Sequence, residues 1–391
     1  MSTINYSTLA AYLSVLPDPR NQRGRSYEWS YLLTVIAAAM MSGQRSIRGM
    51  AQWAAESSEE LVRSLHPRRG AVPSGATLYR VLRCVSVERL EACVSSYMCA
   101  IDGEDGLVGA VVTASGEELH GQAVDGKTVC GATAHGAAVH LVSLVRHESG
   151  TVLAQVKVAA KHDEREAAHR LLESSSLTGT VTTFDALHTQ VGTAEQVLRR
   201  QGHYLMEVKR NQPFLYEAIN SAFQAYPPHN REDATFWNFA VFESQNKQHG
   251  RMEWRRLEST GALNDHLNWP GVGLVLRRIC TRRNQKTGKF TNEVHFAVTS
   301  LTHDLVSLAH IEQFWRWHWT IENRVHYPRD VSMGEDACQV HTGNAPQALA
   351  ALRNAILSLL HHEGWHYLPD AFRFFAANPQ KALQTLGAFS T

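Results

Sequence analysis

Two stretches of this chain share one design: a β-rich run that ends on a carboxylate. Gln122-Ala-Val-Asp-Gly-Lys-Thr-Val129 alternates apolar and polar residues and carries Asp125 before Gly126. Gly179-Thr-Val-Thr-Thr-Phe-Asp-Ala-Leu-His188 delivers Asp185 in the same way. A period of two marks a half-buried strand. Asp125 is therefore expected at the end of one strand or within it, and Asp185 at the end of another. Gly126 permits a close approach by backbone or ligand. Two such strands in one sheet set two acids side by side, and like charges that close are costly unless a cation holds them. The pattern points to a sheet that presents a divalent-metal site at its rim.

The surrounding order says which kind of sheet. Strands are expected at Gln122–Val129, Ala138–Arg146 and Thr151–Val158, then a helix at Glu164–Ser174, the strand before Asp185, a helix at Thr193–Arg200 and a strand at His203–Val208. Hairpin-linked strands followed by alternating strand and helix is the order of a ribonuclease H-like mixed sheet. It occupies 119–213 and resumes at 306–391, after a β-rich insertion at 214–305 with runs at Ala234–Gln245, Arg251–Thr260, Val272–Arg282 and Phe290–Thr299. Residues 1–100 read as a helical N-terminal domain with helices at Ile4–Leu16, Trp29–Met41 and Ser46–Ala55 and another from Pro73, which fits a helix-turn-helix. Residues 101–118, rich in glycine and acids, read as a linker. A helix is expected over 307–327, broken by Pro328, with helices at Ala345–His361 and Ala371–Leu386 closing the chain.

The net charge of +1 gives no global argument for nucleic acid, so that case rests on local clusters. Residues 1–100 hold eleven arginines against seven acids, and Arg277, Arg278, Arg282, Arg283, Lys286 and Lys289 follow one another with no acid between them. The second cluster reads as a β-hairpin with a basic tip, the kind of surface that attracts a phosphate backbone. Six cysteines without a C-x-x-C pair argue against a disulfide framework or a cysteine zinc site and for a reducing cytoplasm. His188, His318 and His326 fit no standard zinc spacing and are read as satisfied or solvent-facing. The most apolar run, Tyr31–Met41, is shorter than the roughly 20 residues a bilayer needs, and no signal peptide is expected.

The helix expected over 307–327 offers two candidates for a third acid, Glu312 and Glu322. Glu322 lies in Trp317-His-Trp-Thr-Ile-Glu-Asn-Arg-Val-His-Tyr327, among aromatic residues able to bury one helix face. The phrases A-V-D-G-K, F-D-A-L-H-T-Q, V-K-R-N-Q-P, H-G-R-M-E, H-W-T-I-E-N-R-V-H-Y-P-R-D-V and E-D-A-C-Q-V-H-T-G-N-A-P resemble the ISAs-type, or H-repeat-associated, insertion-sequence transposases. The opening D-P-R-N-Q-R-G-R resembles their helical N-terminal domain. The resemblance implies a DDE triad at Asp125, Asp185 and Glu322, with separations of 60 and 137 residues. It also makes Arg329, seven residues after Glu322, and Arg316, six before it, candidates for phosphate binding. Larger relatives carry a tyrosine shortly before the glutamate; Trp315 and His318 stand there instead.

Three carboxylates suit two hard cations, Mg2+ with Mn2+ as a substitute, in a two-metal site. Asp125 is expected to bridge both ions, with Asp185 and Glu322 each favouring one. Lys127, Lys209, Asn211 and Gln212 join the arginines and lysines above as candidate DNA contacts. The implied activity is cleavage at the ends of a mobile element and strand transfer into target DNA. The implied partner is double-stranded DNA, with the protein a homodimer or higher oligomer on it, in a prokaryotic cytoplasm and nucleoid-associated when bound. A domesticated DNA-binding protein without catalysis and a nuclease that cuts without joining are the competing readings.

Overall fold

The computed structural model describes residues 8–23, 25–104, 109–130, 139–158, 163–225, 237–248 and 250–388. The first residues of the helix expected at Ile4–Leu16, of the strands expected at Ala138–Arg146 and Ala234–Gln245, and positions 105–108 of the expected linker lie outside them.

Six helices come first: α1 (Leu9–Ser14), α2 (Trp29–Met41), α3 (Ile47–Glu56), α4 (Ser58–Leu65), α5 (Gly75–Cys84) and α6 (Val87–Glu104). Strands β1 (Val111–Val112) and β2 (Glu118–Val129) precede the hairpin of β3 (Val139–Arg146) and β4 (Val152–Val158). Then α7 (Glu164–Ser174), β5 (Thr180–Phe184), α8 (Val191–Arg199), β6 (His203–Val208) and α9 (Pro213–Ala225) alternate. Four strands follow, β7 (Ala240–Gln248), β8 (Arg251–Thr260), β9 (Leu274–Asn284) and β10 (Phe290–Thr299). Helix α10 (Leu308–Trp317), two π-helical turns (Ile321–His326 and Pro328–Ser332), α11 (Ala345–His362), α12 (Leu368–Ala377) and α13 (Pro379–Thr385) complete the chain. These elements form two units, one holding Met1–Val108, Gly126–Ala167 and Thr320–Thr391, the other Gly109–Asp125 and Ala168–Trp319.

The first unit is built on two helices that are apolar on every side. All of α2 except Ser30 is buried, and α11 is buried from Ala345 through Leu360. A helix without a polar face is a core helix, and α11 packs against α2, α5, α6 and β4. Its few polar residues meet buried partners. Arg329 and Glu335, both 0% exposed, pair at 2.6 Å; Arg353 reaches Glu335 at 3.1 Å, and Asn354 binds Arg329 at 3.0 Å and Gln155 at 2.8 Å. Helix α6 runs into the stretch expected as a linker. Asp102 is buried there because the Arg146 guanidinium and the Ser149 hydroxyl each bind its carboxylate at 2.9 Å.

The expected 307–327 helix is α-helical only through Trp317, then widens into π-helical turns that continue past Pro328 to Ser332. Pro328 does not end it: the residues on both sides of it stay helical as far as Ser332.

Strands of the first unit run in the order β4-β3-β2 and those of the second in the order β2-β5-β6-β10-β9-β8-β7, with β2 contributing residues to both. Strand β5 pairs parallel with β2 and β6, and all five of its residues are buried. Its sequence, Thr-Val-Thr-Thr-Phe, is the β-branched run expected of a strand covered on both faces. This mixed sheet, with helices before and after it, is the ribonuclease H-like class read from the sequence. The strands read as an insertion do not stand apart. Antiparallel β10 pairs with β6, Phe296 opposite Val208, and β9, β8 and β7 extend the same sheet. One core beneath them joins Val181, Leu205, Leu257, Leu276 and Phe314.

Candidate active site

The register of the parallel strands places the acids of the second unit. Val124 pairs with Phe184, and Phe184 with Met206. The next residue on each strand is Asp125, Asp185 or Glu207, so three carboxylates reach one level on neighbouring strands about 4.8 Å apart. Asp185 is fixed by its own turn: its Oδ1 accepts from the backbone N–H groups of Leu187 at 3.0 Å and His188 at 3.2 Å. Asn211 and Gln212 hold that turn. The Asn211 amide donates to the Ala186 carbonyl at 2.6 Å, and the Gln212 amide to the Thr189 carbonyl at 2.9 Å. Both side chains were expected to touch DNA; here they brace the loop that carries Asp185.

Glu207 was not singled out in the sequence. Burial pushes its carboxyl up, but hydrogen bonds from His295 at 2.9 Å and Lys209 at 3.0 Å outweigh this and hold it at about 2. Its carboxylate is already bound by His295 and by the Lys209 ammonium. His318 completes the cluster. Its Nδ1 lies 2.9 Å from the Thr183 hydroxyl, which donates its proton to the Gln122 carbonyl at 3.1 Å. Thr183 is left to accept from His318, so Nδ1 carries the hydrogen. Burial pushes the imidazole below its ordinary value, against the pull of Asp125, Asp185 and Glu207. A neutral ring therefore faces three acids.

In the first unit, Gly126 does allow a close approach, and the group that approaches is a side-chain pair. A Cβ on Gly126 would collide with the Glu164 carboxylate and stand 2.9 Å from His140 Nε2. His140 bridges the Thr128 hydroxyl at 2.9 Å and Glu164 at 2.7 Å. Lys127 is held by Asp330 at 2.6 Å. Glu322, on the first π-helical turn, is half exposed, and a bond from His326 at 3.4 Å holds its carboxyl below the ordinary range against partial burial. Runs of π-helix concentrate at functional positions, which singles out this turn. Among the described residues no three His, Cys, Asp or Glu side chains are grouped closely enough to hold a metal ion. Asp125 and Asp185, as adjacent hard oxygen donors, fit one.

The expected DNA contacts divide by what surrounds them. Arg329 is a core residue, fully enclosed by Glu335, Asn354 and Gln155, and no phosphate can reach it. Arg278 is buried, lies 4.2 Å over the Trp315 ring and faces the buried Glu312 at 3.9 Å. Arg277 is bound by Glu258 at 2.5 Å, and Arg282 by Glu253 and Glu293 at 2.9 and 2.7 Å. Arg277 and Arg282 thus face acids of the sheet, and Arg278 faces one on α10. Arg283, Lys286 and Lys289 are exposed around the expected turn, where Asn284 accepts from the N–H groups of Lys286 and Thr287. Arg316 is exposed on α10, and Lys209 is 60% exposed.

A ribonuclease H-like sheet with one aspartate within β2 and another directly after the adjacent parallel β5 is the architecture of the nuclease and transposase superfamily. The family model described as "Transposase DDE domain" matches residues 118–359, and "DDE_Tnp_1-associated" matches residues 10–98. The chain is 27% identical over 364 residues to "Putative transposase YncI" of Escherichia coli O157:H7, covering 91% of this chain and 88% of that protein. It is 25% identical over 362 residues to "H repeat-associated putative transposase YhhI" of Escherichia coli strain K12, covering 90% of each. The chain belongs to the H-repeat-associated DDE transposase family. No helix among the described residues is long and apolar enough to cross a membrane.

Proposed function

We propose that this protein is the transposase of an insertion sequence, cutting DNA at the element's ends and joining the freed 3′-hydroxyl to target DNA. The observation that carries this reading is the Val124–Phe184 register, which sets Asp125 and Asp185 side by side just beyond the last paired residues of two parallel strands. Glu322 is assigned as the third acid of the triad. Bound Mg2+, with Mn2+ as a substitute, would supply activation of the attacking oxygen and stabilisation of the leaving one.

The chain's own groups prepare that chemistry. Asp125 and Asp185 would hold the metal on the strand pair. The Leu187 and His188 N–H groups orient Asp185, and Asn211 and Gln212 hold its loop in place. His318, anchored by Thr183, keeps an uncharged ring beside the acids and leaves their charge available to cations. Arg283, Lys286, Lys289, Lys209 and Arg316 are the exposed cations assigned to the DNA backbone. Two ends are handled together, so the acting species is a homodimer or larger assembly on double-stranded DNA, in a prokaryotic cytoplasm.

The test is Mg2+- or Mn2+-dependent cleavage and strand transfer on labelled DNA carrying the element ends, with Asp125→Asn, Asp185→Asn and Glu322→Gln beside the wild type. Wild-type cutting and joining, lost in all three variants while DNA binding persists, is the expected result. Binding without cutting under either metal would leave a domesticated DNA-binding protein. Cutting without joined product would leave a nuclease.

A further inference from the structure

A cavity in the first unit is walled by arginines. It encloses about 730 Å3 and is lined by the loop that follows α1, by Arg69 and by one face of α5. Six arginines reach its wall, Arg20, Arg23, Arg25, Arg69, Arg80 and Arg83, and no acid does. Asp18 answers two of them, Arg20 at 2.8 Å and Arg25 at 3.3 Å. The other four have no carboxylate partner among the described residues. Arg69 and Arg83 lie over the rings of Tyr27 and Tyr79 at 5.6 and 5.7 Å, and Arg80 donates to the Ala76 carbonyl at 3.1 Å. Those contacts set the direction of three of the guanidinium groups and leave them without a carboxylate. The Ser74 and Thr77 hydroxyls, 3.2 Å apart, add donors on the same wall.

Cations gathered around a concave surface repel one another and focus a positive potential into it, so the unliganded cavity is electrostatically unfavourable and a polyanion relieves it. The volume lies within the range of about 300–1,000 Å3 typical of binding sites, and one phosphate would leave most of it empty. Planar guanidinium forks suit phosphate oxygens. We propose that this cavity grips consecutive phosphates of a DNA strand, making the N-terminal helical segment a second DNA-binding site, apart from the catalytic acids. The proposal rests on the DNA-processing reading above.

The test uses the full chain carrying Asp125→Asn, in EDTA, so that binding is read without chemistry. Fluorescence anisotropy with a labelled duplex of the element end is measured across a salt series for this protein and for Arg80→Gln/Arg83→Gln and Arg80→Lys/Arg83→Lys versions. Loss of two phosphate contacts is expected to make the log–log salt slope shallower by about 1.8 and to weaken Kd at least tenfold at moderate salt. The lysine pair should retain most of the slope, and thermal unfolding should be the same for all three, because both arginines are exposed. An unchanged Kd and slope in the glutamine pair would overturn the proposal. So would inorganic tripolyphosphate that displaces DNA from the parent and from the glutamine pair equally well. A glutamine pair that loses its slope, beside a wild type that never cuts, would remove the transposase reading and keep the cavity. The reverse pattern would remove the cavity alone.

Discussion

Replacing Arg329 by Met separates two roles for one residue. The family pattern makes it a phosphate contact, whereas the structure makes it part of a buried ion network. Its guanidinium gives Glu335 bonds of 2.6 and 3.2 Å, Asn354 one of 3.0 Å and Gln155 one of 3.4 Å. Methionine fills much of the same volume but answers none of these groups. Glu335 would keep only Arg353, at 3.1 Å, and stay fully buried. Burial pushes its carboxyl up and the two arginines together pull it below the ordinary range, so losing one raises the cost of the charge. Breaking a buried pair by removing one partner costs about 3–5 kcal/mol. At roughly 2–4 °C per kcal/mol for a unit of a couple of hundred residues, Tm should fall by about 6–20 °C in differential scanning calorimetry. Salt dependence of DNA binding, measured at a temperature where the variant is folded, should match the wild type. A Tm within about 2 °C of wild type, with a salt slope shallower by about 0.9, would show that Arg329 meets phosphate and that the network is not what holds it.

Other consequences are open to equally direct tests. Burial, with Arg324 and His366 nearby, pushes the His361 ring down to about 4. The folded state therefore binds fewer protons than the unfolded one between pH 4 and 6.5, and stability should fall as pH drops through that window, by up to about 3 kcal/mol. Urea unfolding at pH 7 and pH 4.5 should show the loss, and His361→Leu should flatten it. Gly126→Ala should lower Tm and impair cleavage together, because the new Cβ has to displace Glu164 and His140; a fully active, equally stable variant would contradict the packing described. Lys286→Glu/Lys289→Glu should weaken DNA binding and flatten its salt dependence with Tm unchanged, since both side chains are exposed at the hairpin tip.

The aspartates of the sheet were legible because strand alternation and a β-branched run fix where a strand goes, and parallel pairing then brings its last residues level. Glu207 was not, because an acid between Met206 and Val208 carries no local mark; only pairing with β5 and β10 gives it His295 and a place beside Asp185. The apolar helices α2 and α11 announce themselves by composition. The polar core does not: Asp102 reads as loop and Arg329 as surface until Arg146 and Glu335, 44 and 6 residues away, are known to meet them. The basic run at 277–289 was read as one surface, yet strand pairing turns Arg277, Arg278 and Arg282 toward acids and leaves the tip to the solvent. The expected stop at Pro328 did not occur: the π-helical run passes through it to Ser332.

The first unit is assembled from three separate segments of chain, and its central helix α11 comes in the last of them. During synthesis at about 5–20 residues per second, α2 and α6 leave the ribosome on the order of ten seconds or more before α11 can cover them. Through that interval Glu91 lacks the amide of Gln347, which binds it at 3.0 Å in the finished protein, and the surfaces that α2 and α6 present to α11 stay uncovered. Nascent chains are thus at their most aggregation-prone midway through translation. Messages that end before the codon for Ala345 yield protein in which α2, α5, α6 and β4 all lack the helix that packs against them.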